Sequence, residues 1–536
     1  MSDTTTKSPI IIIVLESAEQ LLIDRWSHEG LLPTLDKLRQ NGVWGKMASP
    51  GYISSGCVWA SFTCGVNPGK HGFGFFHRQH KSGTYRTIKK YADDLHYDHL
   101  WLTASRNGKK VAVLDVPLTK PEADLNGYFF CRWGDEHPSW KPSSIPEGLL
   151  GVIIEQFGRH PLDEWYQTRL ESPAEWSRWK NALSAGVKKR TAITKHILGK
   201  EAFDLLVVNY AEPHWAGHIA WHLHDSNHPE FDAELVSQCG DIILSNYQDL
   251  DNAIAEIMDC IPDARFIITS PIGMGSNTGG EIMTPAILGR LGINNHAQTR
   301  QRRKSIVRSL LPGKDGLSRA VQQIERFIAP ATIAYVKKFI PERLWDDWTR
   351  RLLALGTDWK YSRVFVVPGD NASLLRINLK GREPHGLVTP GEEYEQLCQE
   401  LIEAFYELTE VATGAPAVQK IVRLRDVLWG ENLDELPDIV VVWRPGLPIE
   451  AVESPRIGRV ELPEYHKRTG GHSEYGFLLA SGPGIRENVV LEDIDLLDFA
   501  PTVLTMLGVD APAFMDGKTM DRLFKTAVPA IPAAPD

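Results

Sequence analysis

Cysteine is scarce and scattered in this chain: six residues in 536, at positions 57, 64, 131, 239, 260 and 398, with no Cys-x-x-Cys pair. That excludes a disulfide framework and a thiolate metal ribbon, and it fits reduced thiols packed mostly in the core, Cys57 and Cys64 included. Long apolar runs are lacking too. The polar stretch Met1 to Lys7 leads into Ile10 to Leu15, only six residues long before Glu16, so the opening has neither a signal-peptide pattern nor a membrane-spanning helix. A cytoplasmic protein without stable membrane association is the expectation. Nor is there an excess of positive charge: 58 basic against 68 acidic residues give a net charge of −10, which argues against a general binder of nucleic acid or anionic lipid. A small-molecule substrate is the partner left, and nothing in the sequence sets an oligomeric state.

What is present is a large apolar fraction, 43%, enough to build a sizeable core in one main domain with an insertion. Ile10 to Leu15 is a continuous β-branched run of the kind a buried parallel strand needs, and Glu19 to His28 and Leu31 to Leu38 follow as helices. Lys109 to Pro117, Asp204 to Tyr210 and Arg265 to Ser270 repeat the strand signal, with helices between Trp165 and Leu198. Asn126 to Ser139, rich in aromatics and turn formers, carries no clear period. This alternation predicts an α/β fold with a doubly wound, mostly parallel sheet. From Thr299 to Leu355 a basic opening (Arg300, Arg302, Arg303, Lys304, Arg308) precedes amphipathic runs at Val321 to Ile328 and Leu344 to Leu353, which reads as an inserted helical cap. The expected organisation is a core of residues 8–295 and 358–522, a cap at 296–357, and flexible tails at 1–7 and 527–536.

Three stretches carry chemistry. Ser54-Ser55 stands before a helical run, Trp59 to Cys64, so the N–H groups of a first turn, that of Gly56 among them, would face whatever Ser55 attacks. The alternative for such a serine is an ordinary helix cap. His214 and His218 are four residues apart, with His222 continuing the row; on a helix that spacing chelates one cation, and the alternative is a polar exposed turn. Thr469-Gly470-Gly471-His472 sets two glycines before a histidine, which lets backbone approach a ligand closely. Glu16 ends the first strand, at the sheet edge where open α/β folds bind ligands.

Together these stretches resemble the alkaline phosphatase superfamily, in particular its phosphodiesterase and phosphohydrolase or phosphomutase branch. Ser55 falls on the nucleophile position, and Cys64 to Gly72 on the Gly-x-x-Pro-x-x-His-Gly ending. Gly217-His218 falls on the second half of the Asp-x-x-Gly-His motif with His214 in place of its aspartate, and His472 falls on the last metal-binding histidine. The family pattern also runs through Val364 to Pro368, Arg376 to Pro384 and Leu436 to Trp443, and Asp493 to Leu507 and Met515 to Gly517 resemble its closing helix and hairpin. Two departures matter. Glu16 stands where the family has a metal-binding aspartate, and Pro271-Ile272 where it has the Asp-His pair of the second metal. Carried over residue by residue, the resemblance implies one zinc ion on His214, His218 and His472, Ser55 as nucleophile, Gly56 beside the substrate, and Glu16 either as a general base for Ser55 or as a residual ligand or hydrogen-bonding group. Three functions follow: a metal-dependent hydrolase of an ester or phosphoester-type substrate, a group transferase on the same site, or a non-catalytic ligand-binding member.

Overall fold

The structure, a computed structural model, describes residues 8–75, 79–134, 140–162, 170–294, 359–463 and 468–525. The expected cap at 296–357, with its basic opening and amphipathic runs, lies outside the described residues, as do the tails.

Nine strands form the main sheet: β1 (Ile10–Leu15), β2 (Gly42–Ala48), β3 (Val111–Leu114), β4 (Gly127–Cys131), β5 (Ser143–Ile145), β6 (Leu205–Tyr210), β7 (Arg265–Ser270), β8 (Tyr475–Ser481) and β9 (Val489–Asp495). Their order across the sheet is β9-β2-β8-β7-β1-β6-β3-β4-β5. β1 pairs in parallel with both β6 and β7, β3 with β6 and β4, and β2 with β9; only β8 and the edge strand β5 run against their neighbours. The doubly wound, mostly parallel expectation is met. Every residue of β1 is fully buried, because helices cover both faces of the sheet and split its side chains between two apolar clusters, Ile11, Ile13 and Leu15 on one side and Ile10, Ile12 and Val14 on the other. Each isoleucine so buried contributes about 2 kcal/mol.

Several elements differ from the sequence reading in extent. The strand around Val111 is four residues long, and the unassigned stretch after Asn126 contains β4; of the helices expected from Trp165 to Leu198, residues 163–169 lie outside the described residues, and one helix runs from Pro173 to Leu198 behind a Ser172–Glu175 capping box. Five of the cysteines are buried and Cys260 is exposed; all are free.

A second, antiparallel sheet of four strands (Val364–Val367, Ser373–Ile377, Ile439–Trp443, Val418–Arg423) packs with helices Gly280–Arg290 and Glu392–Tyr406 around an apolar core of its own. Its turn at Asp370-Asn371 reaches the carboxyl edge of the main sheet, through the contacts described next. That edge collects Glu16 after β1, Asp115 after β3, Glu212 and His214 after β6, and Pro271-Ile272 after β7. In open sheets the strand order reverses at such an edge and leaves a crevice for a ligand.

Candidate metal and nucleophile site

Helix Glu212–His224 starts directly after β6, with Pro213 in its first turn, and its 3.6-residue period stacks His214 over His218 at a ring separation of 4.6 Å. His472 comes from the far end of the chain, on the short strand Gly470–Ser473 that pairs antiparallel with Gly273–Ser276. Its ring stacks on His214 at 5.1 Å and meets His218 edge-on at 4.8 Å. One nitrogen from each ring lies within 4.8 Å of the other two. Gly470 makes this approach possible: a Cβ there would lie 2.1 Å from the carbonyl oxygen of Gly217 on the histidine helix.

Hydrogen bonding decides which nitrogens face one another. His218 Nδ1 lies 2.8 Å from the Gly470 carbonyl, and a carbonyl only accepts, so Nδ1 carries the proton and Nε2 keeps its lone pair. His214 Nδ1 faces the Glu16 carboxylate at 3.3 Å, again an acceptor, and His472 Nδ1 lies 3.3 Å from the Ser17 hydroxyl. Only the carbonyl settles a tautomer, that of His218; the His214 contact is an ion-pair distance without hydrogen-bond geometry, and the Ser17 hydroxyl can donate or accept, but all three Nδ1 atoms lie against groups of the kind that orient metal-binding imidazoles from outside. The donors suit zinc or a similar borderline cation. Tetrahedral zinc with bonds of about 2.1 Å wants ligand nitrogens about 3.4 Å apart, so the cluster would close slightly around an ion. Glu16 is held in turn by Asn209 Nδ2, which donates to its second oxygen at 2.8 Å, and Ser17 is set by a left-handed backbone, φ 58°. The Glu16 carboxylate is therefore directed at His214 and Asn209.

Below the histidines lies a fully buried charge cluster. Arg190 donates to Asp115 at 2.8 Å and sits 3.7 Å from Glu212, and the Glu212 carboxylate contacts His160 Nε2 at 3.0 Å. Burial pushes the Glu212 carboxyl up, but Arg190 and His160 outweigh it and hold the group below the usual value. A charged Glu212 fixes the first turn of the histidine helix.

Ser55 is the first residue of a helix, Ser55–Cys64, that begins four residues earlier than the hydrophobic run suggested, and it is buried, as is Gly56 behind it. Ser54 is the cap: its hydroxyl accepts from the Cys57 N–H at 3.3 Å. This leaves the Ser55 hydroxyl outside the capping role. The Ser55 N–H donates to Asp370 Oδ2 at 2.8 Å, while the adjacent Asn371 Nδ2 donates to the His472 carbonyl at 2.7 Å. One turn of the second sheet thus touches both the helix that begins at Ser55 and the third histidine. Beside it, Glu281 Oε2 is buried with no hydrogen-bond partner among the described residues, and burial, reinforced by the Asp370 charge, pushes its carboxyl up to about 7. His71, at the end of the family-like stretch, is a structural residue: it lies 3.0 Å from the Ser61 hydroxyl and accepts from the Phe73 N–H, and burial pushes it down to about 3.

Other sequence-predicted residues fall elsewhere. His222 does not join the cluster; its ring contacts the Thr469 hydroxyl at 3.1 Å and faces His228. Ile272 is buried against the turn at Gly51, so the position where the resemblance would put a second metal pair is apolar. Sequence reasoning missed Asp370, Asn371, Glu281 and Arg468. Pro368-Gly369-Asp370-Asn371 signalled a turn, and no local pattern said where that turn would land.

The sequence matches the model of the type I phosphodiesterase / nucleotide pyrophosphatase family over residues 10–472. No curated protein matches it at a significant level. Among solved structures, the chain is similar to human ectonucleotide pyrophosphatase / phosphodiesterase 5, at 10% identity over 97% of this chain and 100% of that one with a TM-score of 0.47. It is also similar to phosphonoacetate hydrolase from Sinorhizobium meliloti 1021 in complex with phosphonoacetate, at 13% identity over 92% and 94% of the two chains with a TM-score of 0.51. The latter likeness speaks to the fold alone. No helix among the described residues is long and apolar enough to cross a membrane.

Proposed function

The chain belongs to the type I phosphodiesterase / nucleotide pyrophosphatase family, and from that premise we propose that it is a hydrolase of a phosphoester-type small molecule, working with a single zinc ion on His214, His218 and His472. The observation that carries the reading is the donor set: three imidazoles from two distant segments, with one nitrogen of each within 4.8 Å of the other two. When bound, zinc would supply Lewis-acid stabilisation of negative charge on the substrate.

The chain's own residues do the rest. Ser55 is the nucleophile: its oxygen bonds to phosphorus, its proton passes to the neighbouring Asp370 carboxylate, and the leaving group departs with the electrons of its bond to phosphorus. Water then cleaves the phosphoserine and restores the hydroxyl. Asp370, which accepts from the Ser55 N–H, is the carboxylate beside the nucleophile, and the Glu16 carboxylate keeps His214 oriented. Gly56, without a side chain, leaves the first helical turn open to the phosphoryl oxygens. Pro271 and Ile272 cannot hold a second cation through their side chains, so the substrate should be one whose transition state carries less charge than a phosphomonoester, such as a diester, an acyl ester or a group passed to an acceptor. Transfer to an acceptor remains the second reading, because nothing in the donor set distinguishes water from another nucleophile. The division into a core of 8–295 and 358–522 with an inserted cap at 296–357 belongs to the same proposal.

Elemental analysis of purified protein tests the metal: about one zinc per chain, lost in His472→Ala, is expected, and two equivalents or none would overturn the single-zinc reading. Product analysis with a diester, with and without an alcohol acceptor, separates hydrolysis from transfer.

A further inference from the structure

The lone pair of His218 Nε2 faces more than its partner imidazoles. Arg468 Nη1 lies 3.5 Å from it. The backbone that carries this arginine is pinned on both sides: Asn277 Nδ2 donates to the Arg468 carbonyl at 3.2 Å, the Asn277 N–H donates to the Thr469 carbonyl at 2.9 Å, and the Thr469 N–H donates to the His218 carbonyl at 3.0 Å. The attachment point is rigid, whereas the head sits on a long rotatable side chain. A guanidinium has only donors and keeps its charge, so here it stands where a cation would approach Nε2.

We infer that Arg468 is an anion clamp of this site, covering His218 Nε2 before a cation binds and turning to hold two unesterified oxygens of a phosphodiester or phosphonate against the cation afterwards. The inference rests on the three-histidine reading above and adds the charge that this reading lacks. Two positive groups side by side repel, so a cation on the histidines and Arg468 coexist comfortably only with an anion between them. The planar fork of the guanidinium matches two oxygens of a tetrahedral anion, which a lysine ammonium does not. With Pro271 and Ile272 in the place of the second cation's ligands, Arg468 is a positive group that lies at the cluster. Zinc and anion must then strengthen each other's binding, and the coupling must run through this side chain.

The test uses the full-length protein and zinc competition against a chromogenic chelator, with and without phenylphosphonate. Wild type is expected to bind zinc tenfold or more tightly when phenylphosphonate is present. Arg468→Ala should bind zinc alone at least as well as wild type, since a competing cation is gone, and its response to phenylphosphonate should fall below twofold. Arg468→Lys should keep only part of the response. Near-UV circular dichroism of each variant confirms that the fold is intact. Equal coupling in wild type and Arg468→Ala would overturn the clamp, as would tenfold weaker zinc binding by a folded Arg468→Ala, which would mean that the arginine only props His218. Wild type that takes up no zinc would sink the three-histidine reading and the clamp with it, whereas zinc uptake with no phosphonate response sinks the clamp alone.

Discussion

Gly470→Ala probes the construction of the proposed metal site most directly. The added methyl would lie 2.1 Å from the Gly217 carbonyl oxygen and 3.2 Å from Trp221 Cβ, where ordinary contact begins at 3.4 Å. Neither neighbour is the far end of a flexible side chain, since one is helix backbone and the other is anchored by a buried tryptophan. The strand Gly470–Ser473 must therefore retreat from the histidine helix by about 1.3 Å. That shift takes His472 away from His214 and His218 and breaks the bond between the Gly470 carbonyl and His218 Nδ1, which sets the Nε2 lone pair. Overpacking of this kind costs about 1–3 kcal/mol of stability, a small change for a chain of this size. A displacement near 1 Å in a ligand set costs about a hundredfold in function. Gly470→Ala should thus melt within several degrees of wild type yet bind zinc at least tenfold more weakly, read by chelator competition. Wild-type zinc affinity in a folded Gly470→Ala protein would refute the reasoning, because it would show that the approach of the two backbones does not hold the cluster together.

Four other outcomes are expected. Glu281, raised to about 7 from an ordinary 4.5, holds a proton in the folded state that the unfolded chain releases, so its contribution is full below pH 4.5 and is lost as pH rises through 7, by about 3 kcal/mol at 1.36 kcal/mol per unit. Glu281→Gln should remove that slope and melt higher than wild type at pH 8 but not at pH 4; parallel melting curves across that range would exclude a protonated Glu281. Asp370→Asn keeps an acceptor for the Ser55 N–H but removes the charge beside Glu281, so the pH midpoint of the same slope should move down, and an unmoved midpoint would show that the two carboxyls do not interact. Ser55→Ala should abolish turnover while zinc content stays at wild-type level; surviving turnover would mean that Ser55 forms no covalent intermediate. Pro271→Asp with Ile272→His and Glu16→Asp should lower the melting temperature of the metal-free protein, since polar groups replace a buried isoleucine, and added zinc should more than restore it as occupancy rises toward two, which elemental analysis would check.

Much of the fold was legible because its signals are local. The run Ile10–Leu15 has the β-branched, all-apolar pattern of a strand covered on both faces, and it became the centre of the sheet with every residue buried. The helix spacing of His214 and His218 likewise survives as a ring contact. Boundaries were less legible: the helix of the candidate nucleophile starts at Ser55 because Ser54 takes the cap, and two adjacent serines do not announce which of them will do so.

The sequence by itself determined the strand and helix alternation, the identity of the three histidines, and the loss of side-chain ligands at Pro271 and Ile272, since each depends on residue type and short spacing. Only the tertiary structure decided that Asp370-Asn371, hundreds of residues from Ser55 and a hundred from His472, bridges the two. It also decided that Glu16 faces His214, and that rings from two distant segments bring one nitrogen each to within 4.8 Å of the other two. Such contacts have no period along the chain. They arise where separate elements meet at one sheet edge, and the backbone approach allowed by Gly470 sets their distances.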